Sequence, residues 1–199
     1  RSYVPFPLPH RKPIATTRSA TGIPTGRLAV WWLIASEIVI FGGLLASYIM
    51  HRLGHPEFGD YAANTNTWIG AFNTLVLLSS SLSAVLAHQA AERKDGVRAA
   101  KLLMFTMLGG LTFACVKAAE WTMEISHGFT LTTNAFWSFY YTAAGLHAVH
   151  VIAGVVIMGI VAKDAAEGKE LQRVELIANY WHFVDLVWIF LFPLLYIAK

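Results

Sequence analysis

The sequence predicts an all-α protein: an integral membrane bundle of five transmembrane helices. Two observations carry that prediction. The 199 residues are 56% hydrophobic and only 14% charged, against roughly 25% charged in a soluble domain. The apolar residues also gather into five long runs, at 28–50, 68–89, 102–124, 136–162 and 176–197. Each run has about 20 residues or more, enough to cross a hydrocarbon core of about 30 Å at 1.5 Å per residue. Lipid leaves backbone polar groups nothing to bond to, so each run must be a helix. A mean hydropathy of +0.51 in 22.0 kDa agrees.

The elements follow in order. Residues 1–27 form a polar, Pro-containing arm with Arg1, Arg11, Lys12, Arg18 and Arg27 and no acid. It lacks the apolar centre of a signal peptide and is expected to lie extended on the membrane surface or on a neighbouring subunit. Residues 28–199 form the bundle. The second connection carries Arg93, Lys94, Arg98 and Lys101, and the fourth Lys163, Lys169 and Arg173. With the arm, these place most basic residues on one side, against Arg52 and Lys199 on the other. The positive-inside rule then sets the N-terminus inside and the C-terminus outside. The modest net charge of +3, lodged between helices, reads as topology and not as nucleic-acid binding. Trp68, Trp121 and Trp137 are expected at the outer boundary, where amphipathic rings settle. Cys115 is expected to be a small buried side chain, and Pro193 to bend the last helix.

Polar residues inside the runs are the candidate functional residues, because lipid rejects ionisable groups at a cost of about 2.5–3.5 kcal/mol each. The last run contains Tyr180-Trp-His-Phe-Val-Asp-Leu-Val-Trp188, with His182 and Asp185 one turn apart. The fourth contains His147 and His150, three residues apart and so on one broad helix face. The first contains Glu37 among Ile34, Ile38, Val39, Ile40 and Phe41, followed by Gly42-Gly43, where a neighbouring helix is expected to approach. Counting rises places Glu37, His147 and Asp185 at one level near mid-membrane, with His150 and His182 one turn nearer the inside. The first, fourth and fifth helices are expected to bring some of these groups together.

Two readings of the histidines stay open: a metal or haem site, or interhelical hydrogen bonding. For Glu37 the choices are a proton-linked carboxyl or a carboxyl held by another helix. Lys117, Glu120 and Glu124, at i, i+3 and i+7, form a polar stripe near the outer end of the third helix. Lys117 is expected to pair with Glu120 or to snorkel outward. Ser79, Ser80, Ser81 and Ser83 read as packing and hydrogen-bonding residues.

The chain resembles subunit III of the haem–copper oxidases, the cytochrome c oxidase family, on five stretches in order. WWLIASEIVIFGGLLASY (Trp31–Tyr48) is similar to the family segment with a buried, carbodiimide-reactive glutamate, which falls on Glu37. NTLVLLSSSLSAVLAH (Asn73–His88), Glu120-Trp121, GLHAVHV (Gly145–Val151) and YWHFVDLVW (Tyr180–Trp188) resemble its later segments. The resemblance implies a non-catalytic subunit, with no catalytic or metal-ligating residue of its own. Haem and copper are expected in partner subunits, and bound phospholipid here. It implies direct packing against oxidase subunit I, with subunit II, other complex subunits and membrane lipids as further partners, and no nucleic acid. By the same resemblance Glu37 is the buried, proton-linked carboxyl, and His147, His150, His182 and Asp185 form a polar helix-packing core. The family's long form has two further helices before these five. Lys117 stands where Gln is common, and Ala148 where Gly is.

Alternatives are subunit III of a quinol oxidase, an accessory protein of a nitric oxide reductase, a stand-alone His-ligated membrane metalloenzyme, or a proton-coupled transporter built on Glu37. A bacterial plasma membrane is the expected location.

Overall fold

The computed structural model describes residues 22–198. Six α-helices and a terminal π-helical turn follow one another: α1 (Thr25–Gly54), α2 (Phe58–Ala62), α3 (Thr67–Glu92), α4 (Gly96–Ser126), α5 (Ala135–Ala166), α6 (Gln172–Phe192) and Pro193–Ile197. Five helical stretches, α6 taken with its π turn, are long and apolar enough to span a membrane. The chain is a multi-pass membrane protein. The helices outrun the apolar segments because polar caps extend them. The Asn66 side chain accepts from the backbone N–H of Trp68 and Ile69, Asp95 from Arg98, and Asn134 from Trp137. Each satisfies N–H groups that the first turn leaves unpaired. Residues 1–21 of the expected arm lie outside the described residues. Arg27 belongs to the first turn of α1 and pairs with Glu175 of α6 at 2.7 Å.

Short turns force α3, α4, α5 and α6 to run antiparallel in sequence order. The α3–α4 seam is the most extensive contact, and α1 touches the rest mainly through α5 and α6. Lipid supplies no hydrophobic force between helices, so small residues and polar bonds must bring them together. They do so around two tryptophans. The Trp181 ring wedges between Gly110 and Gly154, where an added Cβ would come within 2.7 Å and 3.0 Å of it. Its Nε1 donates to Ser80 Oγ at 3.0 Å, and Trp188 Nε1 donates to Thr74 Oγ1 at 3.0 Å.

The periphery differs. Only Phe41 and Tyr48 of the 30 residues of α1 are buried. Trp31, Trp32 and Val39 are 64%, 71% and 74% exposed. Gly42 and Gly43 face open space, not the neighbouring helix expected there. Cys115 is exposed on the outside of α4, not buried. Trp137 is not a boundary ring: it is fully buried, stacked on Phe129 with centroids 4.7 Å apart. Trp68 is 86% exposed at the start of α3.

Pro193 does reshape the last helix. It has no N–H to donate, and the chain passes into the π turn. Carbonyls there bond to side chains: Tyr48 Oη donates to Leu194 O at 2.9 Å, and Thr67 Oγ1 to Tyr196 O at 3.2 Å. The turn delivers the Tyr196 ring into the bundle.

Candidate functional site

The intramembrane polar residues fall into two main groups at different depths. The first joins α1 to α5. Glu37 Oε2 lies 3.1 Å from His150 Nε2, with both side chains mostly but not fully covered. The imidazole is anchored on its other side, where Nδ1 lies 2.8 Å from Leu146 O. A carbonyl only accepts, so Nδ1 carries a hydrogen. Nε2 therefore faces the carboxyl. The contact lies off the line of a good hydrogen bond. Tyr180 Oη donates to His150 O at 3.2 Å, tying α6 to the same point. One turn from Glu37, Val30, Leu33, Ile157, Val161 and Tyr180 line an apolar cavity of about 350 Å³ between α1 and the bundle.

The second group is the expected stripe, and of the two outcomes expected for Lys117 it pairs with Glu120 and does not snorkel. Lys117 and Glu120 are each 1% exposed and Glu124 is 6% exposed. Lys117 Nζ donates to Glu120 Oε2 at 3.0 Å, to Tyr140 Oη at 2.8 Å and to Tyr196 Oη. Three acceptors use all three N–H bonds of an ammonium. Tyr140 passes its hydrogen to Glu124 Oε1 at 2.9 Å, and Tyr196 to Glu120 Oε2 at 3.1 Å. The cation also lies 4.6 Å and 4.9 Å from the Tyr140 and Tyr196 ring centroids, a cation–π distance. Three elements thus close on one charge. Glu120 Oε1 and Glu124 Oε2 remain without a hydrogen-bond partner among the described residues.

The remaining candidates divide differently from the two levels expected. Glu37 meets His150, not His147. Three residues along an α-helix leave two side chains about 60° apart, enough to send them to different neighbours. His147 is fully buried, with the Trp188 ring stacked at 5.2 Å and the Phe113 ring edge-on at 5.4 Å. Neither of its nitrogens has a hydrogen-bond partner among the described residues. His182 does not rely on Asp185: its Nδ1 lies 2.6 Å from Ser81 Oγ of α3. Asp185 is 5% exposed, and its Oδ1 lacks a partner. Among the described residues no three His, Cys, Asp or Glu side chains gather around a common point. Sequence reasoning missed Tyr140 and Tyr196. The available signal was Lys117 itself, since a cation so deep in an apolar run needs several acceptors.

The comparisons now bear on these residues. The profile of the family described as Cytochrome c oxidase subunit III matches residues 16–199. Cytochrome c oxidase subunit 3 of Corynebacterium diphtheriae is 31% identical over 173 residues, which cover 83% of this chain and 84% of that one. Cytochrome c oxidase subunit 3 of Thermostichus vulcanus is 33% identical over 170 residues, covering 82% and 83%. The Heme-copper oxidase subunit I+III of Aeropyrum pernix is 28% identical over 187 residues, covering 86% of this chain and 22% of that longer one. A profile match across nearly the whole chain, over helices that carry the Glu37–His150 pair and the buried lysine, places it: the chain belongs to the cytochrome c oxidase subunit III family.

Proposed function

We propose that the chain is the non-catalytic subunit III of a proton-pumping cytochrome c oxidase, docked against catalytic subunit I. The observation that carries this reading is the Aeropyrum relative, in whose name subunits I and III are joined. Two proteins fused in one organism commonly work in contact in another. The uncovered apolar flank of α1, with Gly42 and Gly43 open to close approach, supports the docking. The N-terminus lies inside and the C-terminus outside by the positive-inside rule. The bacterial relatives support a bacterial plasma membrane.

Within this role the Glu37–His150 pair at the α1 edge supports proton uptake by the partner. The apolar cavity beside them admits lipid tails or oxygen. His147, His182 and Asp185 pack the helices, and Lys117, Glu120 and Glu124 lock the far end. Glu37→Gln keeps the shape and a hydrogen bond but removes the titrating group. The expected result is an intact oxidase whose proton uptake slows and whose activity decays faster during turnover. Unchanged uptake and lifetime would reduce the pair to packing alone.

A further inference from the structure

We infer that the outer face of the α3–α4 seam holds one anionic phospholipid, its phosphate on Arg93 and Arg98 and an acyl chain along the groove toward Thr112. This face is separate from the cavity beside α1, and the inference needs only that the chain spans a membrane.

Two cavities follow one another on the seam. The first, about 200 Å³, sits at the α3–α4 turn and is lined by Leu86, Gln89, Ala90, Arg93, Asp95 and Arg98. The second, about 350 Å³, lies deeper, between Leu75, Val76 and Ser79 on α3 and Phe105, Leu108 and Thr112 on α4. Exposed Leu82 lies between them on α3, with exposed Leu86 lining the first and exposed Phe105 the second.

The other described arginines on this side are neutralised by acids. Arg27 is paired with Glu175, Lys169 with Glu167, and Arg173 with Asp164 and Glu170. Among the described residues Arg93 and Arg98 have no such acid. Asp95, the one carboxylate lining the cavity among the described residues, is engaged in capping the Arg98 backbone N–H at 3.0 Å. Two guanidiniums with free N–H groups, beside the Gln89 amide, present donors suited to a phosphate. They sit at a helix turn, where a span ends and headgroups begin.

The groove below suits a hydrocarbon chain. Its hydroxyls are already spent on backbone carbonyls: Ser79 on Leu75 O, Ser80 on Leu77 O and Thr112 on Leu108 O. Nothing on the floor requires a polar ligand. Gly109 sets the depth, because a Cβ there would strike Ser80 Cβ at 2.6 Å. From Leu86 to Leu75 the helix rises about 16 Å, close to half of the roughly 30 Å hydrocarbon core, or one leaflet.

The test uses the oxidase complex isolated in mild detergent, stripped of loose lipid and reloaded with phosphatidylglycerol or phosphatidylcholine. Native mass spectrometry then counts retained lipid in the parent, in the Arg93→Gln/Arg98→Gln variant and in Leu108→Trp, which fills the groove. A basic side chain near an anionic surface contributes about fivefold, so the double variant should retain phosphatidylglycerol on the order of 30-fold more weakly. Leu108→Trp should lose it with both arginines in place, and phosphatidylcholine should be held poorly by the parent. Equal retention of both lipids by the parent, or undiminished phosphatidylglycerol in the double variant, overturns the assignment. So does the loss of lipid from neither variant because another subunit covers this face.

Discussion

The two polar groups differ in how completely they are closed. Around Lys117, three elements supply four polar side chains, and every N–H of the ammonium has an acceptor. Around Glu37, one contact at 3.1 Å joins a loosely packed outer helix to the bundle, and both side chains keep some exposure. An ammonium with every N–H bonded is what a fold builds when a buried cation must stay in place. A thin pair at an uncovered edge leaves a group open to exchange a proton or meet another surface. The contrast teaches that ionisable residues in one membrane bundle have separate jobs, decided by the number of partners each finds.

The sharpest way to break that comparison is Lys117→Met. It strands Glu120 and Glu124, both buried, without their cation. Removing one partner of a buried ion pair costs about 3–5 kcal/mol, so the complex should melt far earlier or fail to assemble. Lys117→Met/Glu120→Gln, which removes a charge of each sign, should recover much of that loss in the same thermal assay. Full stability of the single variant would mean that the lysine is not the keystone described.

Tyr196→Phe is next. It removes one acceptor from Lys117 and one donor from Glu120 while keeping the ring, for a loss of about 1–3 kcal/mol. The melting temperature of the complex reads it, and no shift would show that the π turn places Tyr196 for packing only.

Ser81→Ala sharpens the assignment of His182. It should cost about 1 kcal/mol, since a net hydrogen bond contributes about 0.5–1.5. Asp185→Asn, equal in shape, should leave the His182 ring in place, observable as an unchanged imidazole signal in isotope-edited infrared spectra. A disturbed ring in Asp185→Asn with a silent Ser81→Ala would restore Asp185 as the partner.

Smallest in stability is Glu37→Gln. At a partly exposed contact with poor alignment, the melting point should move by less than the equivalent of about 1 kcal/mol, although proton uptake changes. A large stability loss would erase the distinction between the two groups.

Much of this was legible in the residues. Five spans follow from length and apolarity alone, since lipid allows little else. That the first and fourth spans bring polar groups together follows from apolarity, but the depth count set Glu37 level with His147, not with His150, which it meets. Which histidine it would be was not legible. His147 and His150 differ by a small rotation, and only the packing of α6 against α5 turns one to Glu37 and the other between Trp188 and Phe113. Helix rotation also explains Cys115, Trp137 and the open Gly42-Gly43, since an all-round apolar helix does not reveal its buried side. The Tyr196 contact depends on the π turn after Pro193, and a proline announces a distortion without stating where the next ring will point.

The most direct test of the whole account is to tag this chain, isolate it in mild detergent with whatever it binds, and identify the partners by mass spectrometry while recording the optical spectrum. The account predicts oxidase subunit I at one copy per copy of this chain, with haem absorbance that follows subunit I and disappears when the two are separated. Recovery of the chain without an oxygen-reducing partner, or haem that stays with it after separation, would contradict the account.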